Sequence, residues 1–106
     1  MAFESGLQGK VAIVTGGSRG IGRAIVELLA SQGCDVTFFY RGNAGAANEV
    51  VAAVAGLGGK ATAMQVDVAD SAACIAAVEQ VADRCERIDI LVNNAGIVRD
   101  NLTAAI

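Results

Sequence analysis

The apolar run Val11-Ala12-Ile13-Val14 passes through Thr15 into glycines at 16, 20 and 22. A run with no polar alternation suits a strand covered on both faces. Glycines placed just beyond it permit a sharp exit from the strand straight into a helix. From about Gly20, Ile21, Ala24, Ile25, Leu28 and Leu29 recur at i, i+3, i+4, i+7 and i+8, which predicts one buried face. Gly33 then stops the helix at a position suited to a left-handed cap.

The same unit repeats down the chain. Val36 to Tyr40 reads as a second strand, rich in β-branched and aromatic residues. A second helix places Ala47, Val50, Val51, Val54 and Leu57 on one face and ends at Gly58-Gly59. The third strand runs from about Ala61 to Val66. Asp70 or Ser71 caps a third helix whose stripe is Cys74, Ile75, Val78, Val81, Ala82 and Cys85. Ile90-Leu91-Val92 is the fourth strand, closed by Asn93-Asn94-Ala95-Gly96. Strand–helix alternation with short loops implies right-handed crossovers and a parallel sheet. The expected fold is α/β, a Rossmann-type three-layer sandwich with strand order 3-2-1-4, forming one half-domain over residues 1–106.

Composition narrows the possible functions. A net charge of −3, with basic residues scattered singly, supplies no patch for nucleic acid and no stripe for a membrane surface. No apolar run approaches the ~20 residues of a membrane-spanning helix, and the N-terminus has no basic segment leading into an apolar one. The expected location is the cytoplasm. The three cysteines show no C-x-x-C spacing, and Cys74 and Cys85 lie roughly 16 Å apart along one helix, so small buried thiols are expected. There is no histidine, which excludes histidine acid–base chemistry and most zinc sites.

The chemistry gathers at the C-terminal ends of the strands, the edge where parallel α/β sheets bind ligands. Gly16 lets the chain leave strand one tightly, Gly20 lets backbone N–H groups approach a pyrophosphate, and Gly22 lets the helix pack closely on the sheet. No Gly-Lys-Ser/Thr follows, so this is not a P-loop. Strand two ends Phe39-Tyr40-Arg41-Gly42-Asn43 without a carboxylate, and Asp35 begins that strand at the wrong edge. Arg41 and Arg19 can meet a ribose 2′-phosphate, or can simply be solvated. Asp67 can accept from an adenine amino group or cap the turn before Asp70, and no third ligand makes Asp67 and Asp70 a metal site. Asn93 and Asn94 are either turn formers or ligand amides, and the small Ala95-Gly96 pair leaves room for a ligand.

Thr15-Gly16-x-x-x-Gly20-x-Gly22, Asp67-Val68 and Asn93-Asn94-Ala95-Gly96, in this order and spacing, resemble the short-chain dehydrogenase/reductase family over essentially the whole chain. The run from Asn93 to Leu102, and the Tyr40 stretch leading into Ala47-Asn48-Glu49-Val50-Val51, are similar to its β-ketoacyl (3-oxoacyl)-acyl-carrier-protein reductases, enzymes of fatty acid biosynthesis. The resemblance implies an NADP(H) site. Gly16, Ser18, Arg19, Gly20, Ile21 and Gly22 would surround the pyrophosphate and 2′-phosphate, with Tyr40 and Arg41 on the adenosine side. Asp67 and Val68 would lie at the adenine, and Asn93, Ala95 and Gly96 along the ribose and strand four. Asn93 would also tie neighbouring strands.

The family's serine, tyrosine and lysine have no counterpart in these 106 residues. Tyr40 is the only tyrosine, and Ala44 stands where Tyr-x-x-x-Lys needs its lysine. The chain alone is therefore expected to be inactive, with an acyl-carrier-protein substrate relevant only to a full-length form. An exposed edge at strand four is expected to favour self-association. Three functions remain open: the cofactor-binding half of an NADPH-dependent reductase, a non-catalytic dinucleotide-binding module, or an assembly unit.

Overall fold

The computed structural model describes residues 6–18 and 20–94. Four strands alternate with three helices: β1 (Val11–Thr15), α1 (Gly20–Ser31), β2 (Asp35–Tyr40), α2 (Ala44–Gly56), β3 (Lys60–Gln65), α3 (Ser71–Cys85) and β4 (Ile90–Asn93). All pairings are parallel and the strand order is β3-β2-β1-β4, as the alternation predicts.

Side-chain alternation explains why β1 is apolar from Val11 to Val14. Ala12 and Val14 join the core beneath α1 and α2, with Val26, Val36, Phe38, Val50 and Val54. Val11 and Ile13 point the other way, into a second core with Phe39, Cys74, Ala77 and Val81 of α3. The adjacent aromatics Phe38 and Phe39 thus serve opposite faces, both fully buried. A strand covered on both sides is apolar over most of its length, and the polar exceptions here, Thr15 and Thr37, are themselves fully buried.

Helix boundaries follow local chemistry. After α1, Gly33 adopts φ +90, with Gly33 N–H donating to Ala30 O at 3.0 Å and Cys34 N–H to Leu29 O at 3.1 Å, a Schellman cap. Asn43 caps α2 by accepting from Ala46 N–H, and Asp70 caps α3 by accepting from Ala73 N–H. Cys34 and Cys74 are buried free thiols, and burial pushes both upward in pKa, away from reactivity.

The helix faces need correction. The buried ridge of α1 is Gly22, Val26 and Ala30, whereas Ile21 is 74% and Leu28 60% exposed and Ala24 is also exposed. Gly22 sits against the turn, so residues four and eight positions later share its face. Ile25 and Leu29 flank that ridge, half-buried. Leu57 lies past the end of α2 and is 76% exposed, and Ile75 is exposed while Ala77 takes its place in the core.

At the N-terminal edge of the sheet, Asp89 accepts from Val11 N–H at 2.8 Å and from Arg87 through two guanidinium nitrogens, Nε and Nη2. The Arg87 bonds, followed by the Val11 amide, hold its carboxyl below the usual aspartate range. Among the described residues no helix is long and apolar enough to cross a membrane.

Two outcomes follow from this packing. Val26→Ala is expected to cost about 2 kcal/mol in urea unfolding, and Leu28→Ala to stay within about 0.5 kcal/mol. Because folding lowers the Asp89 pKa, its contribution is present above the unfolded-state value and is lost as pH falls through the folded-state value. The gap in urea midpoint between the parent and Asp89→Asn should therefore close on acidification below the ordinary aspartate range.

Candidate functional site

The C-terminal end of β1 opens into a turn held from two sides. Gly16 and Gly17 N–H both donate to Phe39 O of β2, at 2.9 and 3.3 Å. On the β4 side, Asn94 N–H donates to Thr15 Oγ1 at 2.9 Å, Thr15 Oγ1 donates to Val92 O at 3.4 Å, and Asn94 Nδ2 donates to Gly16 O at 3.2 Å. Thr15 is wholly buried, so its hydroxyl acts as an internal coupling between strands.

Two glycines are required here by space. A Cβ on Gly22 would collide with Gly16 O and lie 2.6 Å from Asn94 Nδ2. A Cβ on Gly17 would lie 2.5 Å from Phe38 Cβ and 2.9 Å from Val26 Cγ2. The remaining motif glycine, Gly20, has φ +60 and open space where a side chain would project. The first turn of α1 carries no acidic residue, so its N–H groups and positive dipole end are not offset there.

In front of this turn lies an open cleft of about 600 Å³. Gly16 and Ser18 line it from the turn, Phe39, Tyr40, Arg41, Gly42 and Asn43 from the end of β2, Val66, Asp67 and Val68 from beyond β3, and Asn94 from beyond β4. Arg41 is exposed and, among the described residues, enters no ion pair. Asp67 is also exposed, but its Oδ1 accepts from Ala69 N–H at 3.0 Å, which fixes the carboxylate in a turn. The turn-capping role of Asp67 and its place on the cleft wall thus coexist. Asp35 pairs with Lys60 at 3.6 Å at the other end of the strands, in register with Val11, well away from the cleft.

Of the residues singled out from sequence, Gly16, Ser18, Tyr40, Arg41, Asp67 and Val68 converge on the cleft. Gly22 supports the turn from behind, while Gly20 and Ile21 are exposed at the head of α1. Asn93 ends β4 exposed and is not part of the lining; its neighbour Asn94 ties the turn. Arg19, Ala95 and Gly96 lie outside the described residues. Sequence reasoning passed over Gly17, whose only signal was its pairing with Gly16, and over Asn43, a helix cap that also lines the cleft. No cluster of three or more candidate metal ligands occurs among the described residues.

The cleft is open, with the glycine turn that leads into α1 at one part and a cation at another. That donor set suits an elongated ligand carrying separated phosphates. The family described as short chain dehydrogenase matches residues 10–106. The chain belongs to the short-chain dehydrogenase family. It is 48% identical over 98 residues to the 3-oxoacyl-(acyl-carrier-protein) reductase FabG of Vibrio harveyi, covering 91% of this chain and 38% of that protein. A short-chain dehydrogenase/reductase from Serratia marcescens superposes with TM-score 0.82 at 54% identity, covering 86% of this chain and 37% of that one. A short chain dehydrogenase from Burkholderia cenocepacia, solved in complex with NADP, superposes with TM-score 0.80 at 54% identity, covering 88% and 38%. The chain spans 38–39% of the length of the curated relatives it matches.

The tight packing around the turn generates a test. Gly17→Ala and Gly22→Ala should each destabilise the family member by about 1–3 kcal/mol in urea unfolding, through overpacking. Gly56→Ala, in α2 with open space around it, should be neutral or stabilising by up to about 1 kcal/mol.

Proposed function

We propose that this chain is the NADP(H)-binding part of a reductase of the 3-oxoacyl-acyl-carrier-protein type. The observation that carries the cofactor choice is the end of β2. An exposed Arg41, with no ion-pair partner among the described residues, stands there on the cleft wall, in a stretch from Phe39 to Asn43 with no carboxylate. A carboxylate at that place would accept from a free ribose 2′-hydroxyl and repel a phosphate, whereas a guanidinium attracts one.

The remaining residues take complementary roles in this reading. The turn at Gly16, Ser18, Arg19 and Gly20, with the N-terminal turn of α1 at Ile21 and Gly22, receives the pyrophosphate. Tyr40 supports the adenosine side, and Asp67 and Val68 meet the adenine. Asn93, Ala95 and Gly96 border the ribose. When bound, the nicotinamide supplies or accepts a hydride. These 106 residues hold the adenosine end and the phosphates. They provide no Tyr-x-x-x-Lys pair, because Tyr40 is followed four positions later by Ala44. Proton transfer to a substrate carbonyl is therefore assigned to other parts of the longer protein.

A second reading, a dinucleotide-binding module without turnover of its own, applies to the 106 residues taken alone. It is favoured by the location of Tyr40, the single tyrosine, at the end of β2 on the cleft wall, where no lysine follows it at the Tyr-x-x-x-Lys spacing.

Equilibrium titration followed by cofactor fluorescence should show tighter binding of NADPH than of NADH. Arg41→Ala should weaken NADPH binding by about 1.4–2.8 kcal/mol, roughly 10- to 100-fold, and leave NADH nearly unchanged. NADH binding tighter than NADPH in the parent would overturn the assignment.

A further inference from the structure

The Arg41 wall of the cleft is held by something other than the strand ladder. The last main-chain rung between β2 and β3 is Val66 N–H donating to Tyr40 O at 2.9 Å. The next carbonyl, Arg41 O, lies beyond the end of β2. It accepts instead from a side chain: Gln65 Nε2 donates to it at 3.1 Å. Gln65 is the final residue of β3 and is in register with Tyr40, so its amide extends the ladder by one rung. Two residues further on, Asn43 Oδ1 accepts from Ala46 N–H at 2.9 Å and starts α2. The segment Arg41-Gly42-Asn43 is thus fastened at both ends, and it carries the cation that faces the cleft.

Gln65 itself does not line the cleft. We propose that it is a specificity-determining positioning residue, holding the Arg41 backbone so that the guanidinium meets a phosphate on the cofactor ribose. The inference rests on the NADP(H) reading above and adds a residue to it. The chemistry at position 65 is demanding. Arg41 O is an acceptor, so only a donor of sufficient length holds it. A carboxylate there would have no proton to give and would draw the guanidinium to itself, away from a ligand.

The test compares Gln65→Met, which keeps length without a donor, and Gln65→Glu, which replaces the donor by a competing anion. Dissociation constants for NADPH and NADH are measured on the whole chain. Gln65→Met should weaken NADPH binding about three- to tenfold and shift NADH by less than about twofold, the size of one lost hydrogen bond. Gln65→Glu should weaken NADPH binding further still, again with little effect on NADH. Gln65 is exposed, so both variants should melt within a few degrees of the parent. Amide hydrogen exchange without cofactor gives an independent reading, and Gln65→Met should speed exchange at residues 41–43.

An unchanged NADPH-to-NADH ratio in both Gln65 variants, in a chain where Arg41→Ala collapses that ratio, would overturn the role of Gln65 while leaving the cofactor reading intact. Unchanged exchange at 41–43 would overturn the clamp itself. A parent chain with no preference for NADPH would defeat the cofactor reading, and the specificity role would fall with it.

Discussion

The contact between Gly22 and the Gly16 carbonyl is the constraint on which the rest of the structure depends. Helix α1 comes this close to the turn because position 22 has no side chain to fill the space. The same carbonyl accepts from Asn94, nearly eighty residues away, so three segments meet at one oxygen. Fixing Gly22 against the turn fixes the rotation of α1, and Val26 and Ala30 then descend onto the sheet. Gly17 completes the arrangement by leaving room for Phe38 and Val26. The turn that this packing holds in place, Gly16 to Ser18, also lines the cleft at Gly16 and Ser18, so the packing and the shape of that wall have one cause.

Around that constraint the cleft separates its charges. Arg41 on one wall has no partner among the described ion pairs, and Asp67 on another is tied to the Ala69 amide. The two come from the ends of adjacent elements, after β2 and after β3, and the β-strand register sets their separation. An open parallel sheet brings such loops together whatever the loops contain. The fold supplies the place, and the residues in the loops decide what is held there.

Much of this was legible in the sequence because it follows from short-range rules. Strand–helix alternation predicts parallel pairing and the order 3-2-1-4, and the apolar run of β1 predicts burial on both faces. Gly33 marks a helix end by its backbone freedom and Asp70 a helix start by its side-chain cap. The phase of α1 was less legible. In a helix made of Ile, Leu, Val and Ala, more than one stripe satisfies helical spacing, and periodicity alone prefers the larger side chains Ile21 and Leu28. The deciding fact is the close approach at Gly22, which is a tertiary contact. Leu57 and Ile75 were misplaced for a related reason, since apolar character predicts burial only as a tendency. The roles of Asn94 and Gln65 depend on carbonyls brought near by strand register, and no local pattern announces them.

Chain connectivity gives the Asn94 tie a kinetic meaning. Strands β1, β2 and β3 pair with near neighbours in sequence, with partners about 25 residues apart. Strand β4 instead returns to β1 across 78 residues, as in the pairing of Ala12 with Ile90. Closing the longer loop costs more chain entropy, and non-local contacts form more slowly. The β1–β2–β3 unit can therefore assemble while the glycine turn still lacks its support from β4. Only when β4 docks does Asn94 reach the Gly16 carbonyl. The glycine turn gains this tie at that step, so order at Gly16 is a local report that the four described strands have paired.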